Sequence, residues 1–76
     1  MNLNEANKLW YDFQPIEGVL FGLNDYVRIK SGEHKGKCAS VISLISLEPI
    51  PTYLVELDDF KGGDIKIAES ELELEP

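Results

Sequence analysis

His34 and Cys38 each occur once in this chain and stand four residues apart, the only imidazole and the only thiol available for chemistry. A thiol nucleophile needs the imidazole within hydrogen-bond reach and a third group to orient it. A metal site needs three or four ligands at suitable spacing. The sequence offers neither, so the expectation is a loop histidine and a small buried thiol. The acidic groups Asp58-Asp59 and Glu71, Glu73 and Glu75 could attract a divalent cation weakly. They lack the spacing of a calcium loop, and a solvated hairpin tip is expected for the first. No phosphate-binding loop, dinucleotide fingerprint or nucleophile elbow occurs. The chain is expected to be non-catalytic and to carry no cofactor and no metal.

Binding is the remaining chemistry. Arg28, Lys30, Lys35 and Lys37 place four of the seven basic residues within ten positions, with His34 among them. Such an edge could meet RNA phosphate or an acidic protein. Against RNA, fourteen acidic residues leave a net charge of −7, and polyanion binding depends on neutralising phosphates with Lys and Arg. Aromatic platforms for base stacking are also sparse beside these residues. Tyr26 and Tyr53 are the nearest, and Tyr53 is expected to lie partly in the core. From Glu56 onward come eight acids against two lysines, so one basic edge stands on an acidic body. On the amino-terminal side Trp10, Tyr11 and Phe13 form an aromatic cluster. Core packing accounts for Trp10 and Phe13 through their helical spacing with Leu3 and Ala6. Tyr11 falls off that stripe and is the aromatic expected at the surface. The candidate contact residues are therefore Tyr11, Tyr26, Arg28, Lys30, His34, Lys35 and Lys37.

Elements must exist to position them. Leu3, Ala6, Trp10 and Phe13 predict a helix over about Asn4–Phe13, capped by Asn2 or Asn4 and ended by Pro15. Alone it would be marginal, so its apolar face must dock. Ile16–Asn24 is an apolar connector expected to lie against the rest. Tyr26–Lys30 alternates as a strand with Val27 and Ile29 inward. Residues 31–36 make a loop, and Lys37–Leu47 a second strand. Strict alternation there places Val41, Ile45 and Leu47 on one face and Ile42 and Leu44 on the other, so both faces need cover, one of them from the helix. Glu48-Pro-Ile-Pro51 is a turn. Thr52–Leu57 points Tyr53, Val55 and Leu57 one way, and a hairpin over Asp58–Gly63 leads to Asp64–Ala68 with Ile65 and Ile67 inward. A single helical turn over Ala68–Glu71 precedes a last strand through Leu72 and Leu74, whose glutamates discourage edge pairing.

Val27, Ile29, Gly32, Gly36, Val41 and Leu44 fall in the pattern of a KOW motif. The stretch from Asp25 to Glu75 resembles the KOW-containing SH3-like barrels of ribosomal proteins and NusG-type factors. One departure is Ala39, where the motif usually carries a second glycine at a sharp bend. The whole chain is similar to uncharacterised small bacterial proteins that set a short helix before such a barrel. The resemblance implies a mainly β fold, a five-stranded SH3-like barrel over residues 25–76 with the helix and connector of residues 1–24 packed on it. It implies a binding surface and names no ligand.

Seventy-six residues suffice for one domain, and a chain of that size buries only about 60% of its unfolded surface. A lone cysteine permits no internal disulfide, which suits a reducing compartment. No signal peptide is apparent, and no apolar run approaches the roughly 18 residues that span a bilayer. The expectation is a cytoplasmic protein-interaction module without membrane contact. The alternatives are an RNA-touching accessory factor of translation or transcription, and a small acidic inhibitor or immunity-type protein that covers a basic site on an enzyme.

Overall fold

Tyr-Val-Arg-Ile at residues 26–29 alternates outward and inward, and the structure, a computed structural model describing residues 1–58 and 63–75, forms strand β1 from those four residues (Tyr26–Ile29). After helix α1 (Leu3–Tyr11) and β1 come β2 (Cys38–Ser46), β3 (Thr52–Leu57) and β4 (Asp64–Ala68). A 3₁₀ turn (Glu69–Glu71) then leads into β5 (Leu72–Leu74). The five strands make one antiparallel sheet in the order β4-β3-β2-β1-β5. The fold is mainly β with a short amino-terminal helix. Among the described residues no ladder joins β4 to β5, so the sheet is open there. Residues 59–62 of the hairpin expected over Asp58–Gly63 lie outside the described residues.

Strand β2 corrects the expectation of two apolar faces. Val41 pairs with Val55 and Leu44 with Tyr53, and Val55 and Tyr53 share a face of β3. Val41 and Leu44 therefore point the same way although three residues separate them. The ladder accommodates this with irregularities between Val41 and Ser43 and between Leu44 and Ser46, each adding one residue to β2. An extra residue re-aims the side chains that follow it. Ile42 and Ile45 are the added residues, and both are half-buried. Ala39, Val41 and Leu44 thus join Val27, Ile29, Tyr53, Val55, Leu57, Ile67 and Leu72 in a single core.

The helix adds Ala6 and Trp10 to that core. Asn2 caps it, its side chain accepting from the Glu5 N–H at 2.9 Å. The helix ends earlier than its apolar spacing implies. Phe13 N–H bonds to the Trp10 carbonyl at 3.2 Å and Gln14 N–H to the Leu9 carbonyl at 2.9 Å. Those two bonds make a Schellman turn with Phe13 at its left-handed position, φ 57°. Phe13 is therefore outside the helix stripe and 69% exposed, contrary to the core role that its spacing predicts. Pro15 disfavours helical backbone at Gln14, in keeping with a helix that closes just before it.

The connector that follows is clamped to the sheet. The Trp10 indole N–H donates to the Phe21 carbonyl at 2.8 Å, and Phe21 N–H donates to the Tyr53 hydroxyl at 3.3 Å. Glu69 Oε1 accepts from Leu20 N–H at 2.8 Å and from the Tyr53 hydroxyl at 2.6 Å. The rings of Phe21 and Tyr53 meet edge to face at 5.6 Å. Burial, and then this bond to Glu69, hold the Tyr53 phenol well above its ordinary pKa. Among the described residues no helix is long and apolar enough to cross a membrane.

Candidate functional site

Strand periodicity turns Tyr26 and Arg28 outward on β1, opposite Ser40 and Cys38 of β2. Both are already engaged. Arg28 grips Glu75 with two parallel bonds, Nε to Oε2 at 2.7 Å and Nη2 to Oε1 at 2.8 Å. The bond to Glu75, followed by contact with Cys38, raises the guanidinium pKa above its usual value. The Tyr26 hydroxyl donates to Asp58 Oδ2. That bond is the main cause that pushes its pKa up to about 12. Cys38 Sγ lies 3.5 Å from Glu75 Oε2, so the thiol sits in a carboxylate–guanidinium network. His34 is elsewhere, in the loop after β1, and does not reach it.

Lys30 follows β1 and gives its backbone N–H to the Glu71 carbonyl at 2.7 Å. Its side chain, with Lys35 and Lys37, is exposed on the loop and its margins. His34 is half-buried, and its Nδ1 is enclosed without a hydrogen-bond partner. It lines a small cavity shared by the loop and β4, together with Ser31, Lys66, Ile67 and Glu71. Among the described residues no group of three or more His, Cys, Asp or Glu side chains is placed to hold a metal. Tyr11 stands apart from the basic edge. Its hydroxyl is 3.3 Å from Ser43 Oγ, five residues along β2 from Cys38, a separation of roughly 15 Å at strand rise. It is half exposed, as its position off the stripe predicts, and its ring packs edge to face on Trp10.

A second surface is built where the helix exits. The Schellman turn throws Phe13 outward, and the connector doubles back to place Leu20, 73% exposed, on the same cleft. Trp10, Pro15, Ile16 and Phe21 also line the cleft, which has a volume of about 310 Å³. On the other side of the connector a cavity of about 380 Å³ is lined by Met1, Leu47 and Pro51, with Glu17 and Glu48 at its margin. Ile16 and Val19 belong to both cavities. An isolated exposed apolar residue is ordinary, whereas contiguous ones beside a cleft mark contact surfaces.

Of the seven candidate residues, the structure brings Tyr26 and Arg28 together on β1, with Lys30, His34, Lys35 and Lys37 following in the adjoining loop, and sets Tyr11 apart. Spacing alone missed Phe13 and Leu20 as surface residues and Glu69 as the clamp on the connector. The signal for Phe13 was Pro15, two positions later. For Glu69 the signal was weak: a buried tyrosine requires an acceptor, but many carboxylates follow Tyr53. No family model, curated protein or solved structure matches this chain.

Proposed function

We propose that the chain is a non-catalytic protein-interaction module, its sheet an SH3-like barrel of KOW type, with the helix exit and connector as the contact surface. The observation that carries this reading is the cleft flanked by Phe13 and Leu20. A bulky residue held at φ 57° costs free energy, roughly 1–2 kcal/mol in the left-handed region. The Phe13 ring recovers little of that by burial within the chain. Backbone outliers of this sort cluster where a surface is used. The barrel assignment is supported by the strand order, by the residues of the KOW pattern that stand at Val27, Ile29, Val41 and Leu44 in the core, and by the loop after β1 reaching β4. The RNA reading is weakened by Glu75, which already occupies the Nε–Nη2 edge of Arg28 and neutralises its charge.

Capture from the native host at moderate salt tests this directly. The pair Phe13→Ser and Leu20→Ser should lose the captured partner, and Lys35→Glu with Lys37→Glu should retain it. The opposite pattern contradicts the proposal, above all if a mixed RNA pool then binds with a steep salt dependence and perturbs residues 28–37.

A further inference from the structure

We infer that the helix-exit cleft takes an amphipathic protein segment whose apolar anchors are flanked by Lys or Arg. This rests on the interaction reading above and adds the chemistry of the partner.

The apolar part follows from Phe13, Leu20, Ile16 and Val19, which present a hydrophobic track on both sides of the connector. The basic part follows from the acids nearby. Asp12 caps the helix immediately before Phe13. Glu17 and Glu48 border the adjoining cavity, and the Glu69 carboxylate reaches the Leu20 N–H. Among the described residues neither cavity is lined by a Lys or Arg. Four of the seven basic residues lie instead at positions 28–37. These acids stand beside an apolar cleft whose own described lining carries none, and so placed they select partners by sign and speed their encounter. The same acids oppose a second copy of this chain. A two-fold contact through one face sets each patch against itself, bringing Asp12, Glu17 and Glu48 towards their own counterparts. Like charges so placed are costly, and a net charge of −7 adds to the repulsion.

Three synthetic peptides of about twelve residues test the inference against the full chain. The first carries Leu and Phe anchors among Lys and Arg. The second keeps the anchors and replaces the basic residues with Glu. The third keeps the basic residues and replaces the anchors with Ser. Trp10 is the sole tryptophan and lines the cleft, so its fluorescence and indole N–H resonance report binding beside the backbone amides. The basic amphipathic peptide should shift Trp10 and the amides of residues 13–22 and bind at least tenfold more tightly than either other peptide. Its affinity should fall several-fold between 50 and 300 mM salt as screening grows. Glu17→Gln with Glu48→Gln should reduce its advantage over the acidic peptide, and Leu20→Ser should weaken it at least tenfold while amide dispersion remains that of the folded chain. If the acidic peptide binds the cleft equally well or better, the inference fails and the interaction reading survives. Equal binding of the serine peptide also overturns the inference. If no peptide shifts the cleft residues while an RNA pool shifts residues 28–37, both fail.

Discussion

Phe13 takes a backbone conformation that glycine adopts without steric cost. Relief of the left-handed strain is worth roughly 1–2 kcal/mol, offset by about 0.5–1 kcal/mol for the greater freedom of an unfolded glycine. Phe13→Gly should therefore leave stability unchanged or raise it by up to about 1.5 kcal/mol in urea unfolding, while abolishing partner capture. A substantial loss of stability would mean that the ring packs more than its exposure implies. Tyr26 supports a second prediction. Its hydrogen bond to Asp58 stabilises the protonated phenol in the folded chain, raising the pKa from 10.0 to about 12. Folding then holds a proton that the unfolded chain releases, so stability falls as pH rises across that interval. The contribution is complete below pH 10 and lost as pH climbs through about 12. Tyr26→Phe should flatten this part of the alkaline stability curve relative to the parent chain, and an unchanged slope would exclude the Asp58 bond as its cause.

Strands were more legible in the sequence than their irregularities. Val27 and Ile29 alternate cleanly, as do Tyr53, Val55 and Leu57, because neither strand carries an added residue; the extra residues of the β2–β3 ladder lie on β2. Strand β2 departs from that rule because two added residues reset its period, and a count of alternating positions cannot see which residue leaves the ladder. The helix end was recoverable in principle, since Pro15 limits Gln14, yet the apolar spacing through Phe13 outweighed it. Leu20 was legible only as an apolar residue in a connector. Its outward direction depends on Glu69 and Tyr53, far away in sequence, holding the backbone on either side. The proposed KOW resemblance offers an element-scale test at Ala39, where that motif usually has glycine. Ala39 is buried between Val27 and Leu57 and is not among the residues with positive φ. Nothing there requires glycine. Ala39→Gly should destabilise the chain by about 1 kcal/mol in chemical unfolding, and stabilisation would show a bend that the strand pairing does not explain.

Cations concentrate at residues 28–37, whereas Glu17 and Glu48 line the cavity beside the helix exit. Arg28 is bound by Glu75, so that cluster offers fewer available donors than its sequence indicates. The helix-exit side combines a strained exposed ring, a second exposed apolar residue and an acidic margin, each positioned by a contact distant in sequence or by the Schellman turn. A photoreactive benzoylphenylalanine at position 20, compared with one at position 35, tests most directly which side meets a partner. In the native host, position 20 should give a discrete protein adduct that disappears with Phe13→Ser, and position 35 should give none dependent on Phe13. Adducts confined to position 35, or an adduct at position 20 indifferent to Phe13, would contradict the account.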